Sequence, residues 1–150
     1  MQRSLVKSAL WGATLVLTVA GVQAAENIVE QRQQSFKKMG GAMKAINQQL
    51  KASDADLAEI LASASLLSSK AAQLPDWFPA GSGASSGQQT DALDAIWQDS
   101  ATFQQAATKF QQASSDLLSL AQNGDVAALP AQLKEVKQSC SNCHKTFRAD

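Results

Sequence analysis

Four stretches of this chain set apolar residues at alternating steps of three and four, the spacing that keeps side chains on one stripe of an α-helix. In the first, Val29, Phe36, Met43 and Leu50 recur every seven residues, with Met39 and Ile46 between them. Leu57, Ile60, Leu61, Ala64, Leu67, Ala71 and Leu74 mark a face of the second. Ile96, Phe103, Phe110 and Leu117 recur every seven in the third, interleaved with Ala106, Ala113 and Leu120. The fourth runs through Val126, Leu129, Leu133, Val136, Cys140, Cys143 and Phe147. A repeat near 3.5 is the seam of antiparallel bundles and coiled coils. Ser53 or Asp54 can cap the second helix, Asp125 can cap the fourth, and Pro75 stops the second. Pro130 either shortens the start of the last helix or marks its first turn. Residues 75–90, rich in Pro, Gly and Ser, form one long loop, and no segment alternates with a strand's period of two. The expectation is an all-α, antiparallel up-down-up-down four-helix bundle.

Residues 1–24 read as a secretory signal peptide. Arg3 and Lys7 form a charged start, Ala9 to Val22 an apolar run, and Val22-Gln23-Ala24 a small-residue cleavage site. A run of about 14 residues falls short of the roughly 20 needed to span a bilayer. The mature chain, 25–150, is one domain's worth of sequence. Setting aside Arg3 and Lys7, 11 basic residues face 13 acidic ones, a formal charge of −2. The sequence gives no reason to propose nucleic acid as a partner, and no membrane contact is expected once the leader is gone.

Cys140-Ser141-Asn142-Cys143-His144 carries the chemistry. C-x-x-C-H is the attachment signal for c-type haem: two thiols add to the vinyl groups, and the neighbouring imidazole reaches the iron. It uses both cysteines and the single histidine of the chain. A redox dithiol expects a strand-to-helix setting with a parallel sheet. Structural zinc wants four Cys or His ligands where this chain offers three. Export and haem attachment support each other, since c-type haem is attached outside the bacterial cytoplasm. Cys140 and Cys143 fall on the apolar stripe of the last helix and should point into the core, with His144 one residue off it.

Four motifs in order resemble the cytochrome c′ family. Arg32-Gln33-Gln34-Ser35-Phe36-Lys37-Lys38-Met39 resembles its first-helix pattern, and Leu74-Pro75-Asp76-Trp77-Phe78-Pro79-Ala80-Gly81-Ser82-Gly83 its Pro/aromatic/Gly crossover. Ile96-Trp97-Gln98-Asp99 resembles the start of its third helix, and Cys140 to Arg148 its ending. The resemblance spans essentially the whole mature chain. It implies one haem c per chain, held covalently through Cys140 and Cys143 and ligated by His144, with Arg148 beside that face. Arg32 and Gln33 match residues that contact the haem propionates, and a charge set in an apolar stripe fits a buried anionic partner. Phe36 matches the position covering the open iron face, where low-spin relatives carry a ligating methionine. Met39, Phe103, Phe110, Trp77 and Phe78 match pocket positions.

The implied function is a periplasmic gas-binding protein rather than an enzyme. Its iron would be five-coordinate and high-spin, and its ligands nitric oxide and carbon monoxide. A pocket without hydrogen-bond donors does little for the partial charge on bound dioxygen and disfavours water and anions. The alternative is a dedicated one-electron carrier with six-coordinate low-spin haem, in which Met39 or Met43 is the further ligand if the first helix is rotated from the register that sets Phe36 over the iron. A periplasmic redox partner is compatible with either. The family also implies a homodimer through the first helix, where Gly40-Gly41-Ala42 allows close approach.

Overall fold

The computed structural model describes residues 19–149, with side chains from 28 onward. Most of the expected signal peptide lies outside the described residues. The helices are α1 (Val19–Gln49), α2 (Leu57–Gln73), α3 (Ala95–Gln98), α4 (Ser100–Gln122) and α5 (Leu129–Phe147). The four long ones form an antiparallel four-helix bundle in which α1 packs on α2, α2 on α4, and α4 on α5. α1 and α5 close the ring only sparsely. None of these helices is long and apolar enough to cross a membrane.

Buried positions follow the three-four rhythm: Ile60, Ala64, Leu67 and Ala71 on α2; Phe103, Ala107, Phe110, Ser114 and Leu117 on α4; Leu129, Leu133, Val136 and Phe147 on α5. The α2 stripe is rotated from the expected one. Leu57 and Leu61 are exposed, at 47% and 38%, because the face that meets α1 and α4 begins at Ile60. Its cap is Asp56, not Ser53 or Asp54: the Asp56 carboxylate accepts from the backbone N–H groups of Ala58 and Glu59 at 2.9 and 3.1 Å. Glu59 in the first turn and Lys70 in the last complement the helix dipole.

The third stretch is two helices. Asp99, at φ −125° and ψ 62°, breaks the path between α3 and α4 and caps α4 by accepting from the Thr102 N–H at 3.2 Å. Gly124 takes the left-handed conformation (φ 69°) that ends α4, a role glycine fills without a Cβ clash. The fourth stretch starts later than expected. Val126 lies outside α5 and is exposed, and Pro130 sits in the first turn. Asp125 accepts from the Ala128 N–H at 3.3 Å, in the turn before the helix rather than as its cap.

The 75–90 loop is folded back on the bundle through two short 3₁₀ turns, Leu74–Trp77 and Ala84–Ser86. A Cβ built on Gly83 would come within 2.5 Å of the Trp97 ring. That ring is held in place because its indole N–H donates to the Phe78 carbonyl at 3.0 Å. Gly83→Ala should therefore lower stability by about 1–3 kcal/mol, the usual range for overpacking. Chemical denaturation checks it, and an unchanged midpoint would show that Trp97 moves freely.

Candidate functional site

A cavity of about 780 Å³ lies inside the bundle, in the size range of sites that enclose a whole organic ligand. Its deep walls are the buried residues Leu67 of α2 and Phe103, Ala107 and Phe110 of α4. The exposed residues on its border, such as Gln33, Gly40, Lys137, His144 and Arg148, belong to α1 and α5. The mouth therefore opens where α1 and α5 fail to close the ring.

Of the residues singled out in the sequence, Arg32, Gln33, Phe36, Met39 and Met43 from α1, Phe103 and Phe110 from α4, and Cys140, Cys143, His144 and Arg148 from the end of α5 border this cavity. Phe78 borders it too, while Trp77 is buried behind Phe36. Cys140 and Cys143 are half-buried and pack against the core rather than lying within it. Burial pushes both thiols up, Cys143 to about 11 with a further contribution from Cys140. Burial and then the charge of Arg148 lower the His144 pKa, favouring the neutral imidazole that a metal ligand requires. Among the described residues, no group of three or more His, Cys, Asp or Glu side chains is arranged to hold a metal ion by itself.

Arg32 is buried, with 2% of its surface exposed, and its partners among the described residues lie in the crossover loop. One guanidinium nitrogen donates to the Trp77 carbonyl and the Ser82 hydroxyl, each at 3.1 Å. The other donates to the Ser82 carbonyl and the Thr90 hydroxyl, each at 2.8 Å. The Phe78 ring lies 4.5 Å beneath the guanidinium carbon. Next to it, the Gln33 amide donates to the Gln89 carbonyl at 2.7 Å. The pair pins both ends of the loop to α1. Neutral loop acceptors carry no sequence signature, so these bonds were not legible beforehand. Loop residues Thr90, Asp91 and Ala92 on the cavity border were missed for the same reason.

Aromatic rings connect the loop to the far wall. Phe36 meets Trp77 edge-on at 5.5 Å and lies 6.3 Å from Phe78. Phe78 meets Phe103 at 4.9 Å, and Phe103 meets Phe147 at 5.3 Å. Such edge-to-face pairs stabilise beyond area burial and fix ring orientation. The wall made by Phe36, Met39, Met43, Leu67, Phe103 and Phe110 carries no side-chain hydrogen-bond donor.

The sequence profile of the family described as Cytochrome C′ matches residues 27–148. Cytochrome c′ of Rhodospirillum rubrum is 35% identical over 150 residues, covering 100% of both chains. Cytochrome c-556 of Agrobacterium tumefaciens is 32% identical over 123 residues, 80% of this chain and 95% of its own. Among solved structures, the nitric oxide complex of a point mutant of cytochrome c prime from Alcaligenes xylosoxidans superposes with a TM-score of 0.75 at 28% identity. It covers 84% of this chain and 96% of that one.

The Arg32 contacts generate a prediction that does not depend on any ligand. Arg32→Met keeps the apolar stem but strips four donors from the loop. Leaving those acceptors without partners should cost ~2–3 kcal/mol. Hydrogen exchange should speed up in residues 77–92 while α2 and α4 stay protected. Equal loss of protection everywhere would mean the loop is not held by this side chain.

Proposed function

This chain belongs to the cytochrome c′ family, whose members bind haem c covalently, and on that premise we propose that it is a periplasmic binder of small neutral gases. The cavity fits the group chemically: its border supplies two thiols one helical turn apart, an imidazole beside them, and apolar walls. Cys140 and Cys143 would hold the haem and His144 would ligate its iron. When bound, the haem supplies an iron that exchanges one electron and can take a diatomic ligand.

The chain's own residues would set the selectivity. The apolar wall from Phe36 to Phe110 excludes water and offers no donor to a ligand carrying partial charge, which favours nitric oxide and carbon monoxide over dioxygen. Phe36 would cover the gas-binding face. Its ring is backed by Trp77 and Phe78, so displacing it works against the loop that Arg32 and Gln33 hold. Arg32 and Gln33 would also face the propionates, and Arg148 would lie beside the His144 face. The observation that carries this reading is an apolar wall that includes Phe36 and borders the same cavity as the C-x-x-C-H turn.

One observation favours the alternative. Met39 and Met43 both border the cavity, and a thioether ligated to the iron would suit a dedicated electron carrier. The visible spectrum separates the two: broad high-spin bands support the gas binder, split low-spin bands the carrier. Anaerobic nitric oxide titration of the ferrous protein then tests gas binding directly.

A homodimer is part of the proposal. Leu57 and Leu61 are exposed on α2, and small residues including Gly41, Ala45 and Ala62 line a shallow groove between α1 and α2. Export to the periplasm rests on the leader-like residues 1–24.

Phe36 yields the sharpest mutational test. Phe36→Met should place a sulfur near the iron, shift the spectrum toward low spin and weaken carbon monoxide binding. Phe36→Ala should remove steric cover and tighten it, at a folding cost of about 3–5 kcal/mol if the site does not collapse. Opposite shifts in gas affinity, measured with both variants folded, support the assignment. If both bind carbon monoxide like the parent, Phe36 is core packing only.

A further inference from the structure

Charge in this chain is unevenly distributed, although Glu30 on α1 starts the seven-residue row that Lys37 and Lys44 continue. From Gln31 to Lys51 no residue is acidic, while Lys37, Lys38, Lys44 and Lys51 are all exposed. From Leu129 to Ala149 only Glu135 is acidic, against exposed Lys134, Lys137, Lys145 and Arg148. Residues 52–128 invert the balance: nine acidic residues stand with Lys70 and Lys109. A formal charge near zero therefore hides a mostly basic α1–α5 side and a more acidic remainder, with Asp91 the acidic residue at the cavity mouth.

Register aims the cations at the cavity mouth. Lys37 and Lys44 each follow a stripe residue (Phe36 and Met43) by one position and share a flank of α1, with Lys51 in the turn just past its end. Lys134, Lys137 and Ser141 share a flank of α5, and Arg148 follows its last residue. That flank faces α1 across the gap, because the Lys137 ammonium donates to the Asn47 side-chain oxygen at 3.0 Å. Lys137 and Arg148 border the cavity itself. Among its bordering residues Asp91 is the one carboxylate.

We propose that this basic rim docks an acidic one-electron redox protein that delivers an electron to the haem. The inference rests on the gas-binding reading, because carbon monoxide binds ferrous iron and a donor must reduce the ferric state. One electron leaves the donor, which is oxidised, and ferric iron becomes ferrous; no bond is made or broken. Electrostatic complementarity is suited to such an encounter, since it accelerates association and sets orientation. The rim is not built to lie on a membrane. Interfacial binding needs exposed apolar side chains beside the cations, and the exposed large apolar residues Leu57, Leu61, Leu93 and Val126 lie on neither α1 nor α5.

The probe is an acidic flavodoxin in its hydroquinone form, mixed with the ferric holoprotein in stopped flow. Raising ionic strength from about 0.01 M to about 0.15 M shrinks the Debye length from ~30 to ~8 Å, and the second-order rate should fall by about tenfold or more. Lys37→Gln, Lys44→Gln and Lys134→Gln together should slow the low-salt reaction by about tenfold and flatten its salt dependence. Lys70→Gln with Lys109→Gln, on the opposite face, should leave the rate unchanged. Equal effects of the two variants, or a salt-independent rate, would overturn the proposal. So would loss of binding to phosphatidylglycerol vesicles in the rim variant with its flavodoxin kinetics intact, which points to a membrane instead. Carbon monoxide affinity of the parent is measured in parallel. If it is lost while the rim variant still slows reduction, the docking surface stands and the gas-binding reading falls.

Discussion

Much of the site's geometry depends on one buried guanidinium. Desolvating a charge inside a protein costs several kcal/mol, and burial lowers the Arg32 pKa. Four hydrogen bonds and the face of Phe78 offset that cost, and all of these partners lie in the 75–90 crossover loop. The effect extends past the loop. Thr90, which accepts from Arg32, also accepts from the Ala92 N–H at 3.2 Å. Ala92 forms a bridge with Arg148, the Leu93 N–H donates to the Phe147 carbonyl at 3.0 Å, and the Ala149 N–H donates to the Asp91 carbonyl at 2.8 Å. A single α1 side chain thus helps to locate the last turn of α5, where His144 sits, and Arg148 just beyond it.

The same arrangement explains how a short bundle accommodates a large cavity. Protein interiors are close-packed, and this bundle is tightly packed along α1–α2, α2–α4 and α4–α5. The remaining side, α1 against α5, is held by the Lys137–Asn47 bond and by the loop rather than by a continuous apolar seam. Apolar walls facing each other across that gap make an incomplete core unless something apolar lies between them. A haem held through Cys140 and Cys143 would supply the missing apolar material. Fold and cofactor are in that sense one core, as expected for a small domain with little surface to bury.

Much of this was legible in the sequence, and what was not has physical reasons. The stripes of α4 and α5 were readable because their apolar residues fall in one narrow arc. On α2, apolar residues occupy more than one face, so Leu57 and Leu61 were read as buried when Ile60 leads the true stripe. Its cap was misplaced for a related reason: Ser53, Asp54 and Asp56 are all capping residue types, and only the helix register selects Asp56. The break at Asp99 interrupts a stripe whose seven-residue spacing continues across it, which hides the kink. Cavity residues such as Phe36 and Phe103 could be named because the C-x-x-C-H turn and the Arg32-Gln33 pair resemble a family. The partners of Arg32 could not, because they are backbone carbonyls and hydroxyls positioned by the loop's own path.

The basic rim shows where sequence reading alone stops. The lysine row on α1 is visible in the sequence, one step from the core stripe, and so is the run of cations on α5. Neither has meaning until α1 and α5 are known to be neighbours with a cavity between them. Packed helices lie only ~8–10 Å apart, comparable with the Debye length at physiological salt. The acidic residues on the α2–α4 side therefore cancel little of the rim's potential for a partner in contact with the mouth. At long range the two faces offset each other, and the molecule as a whole carries almost no charge. A dipole of this kind repels few partners at a distance, but it orients an acidic one as it arrives. The face it presents is the one that carries the cavity mouth.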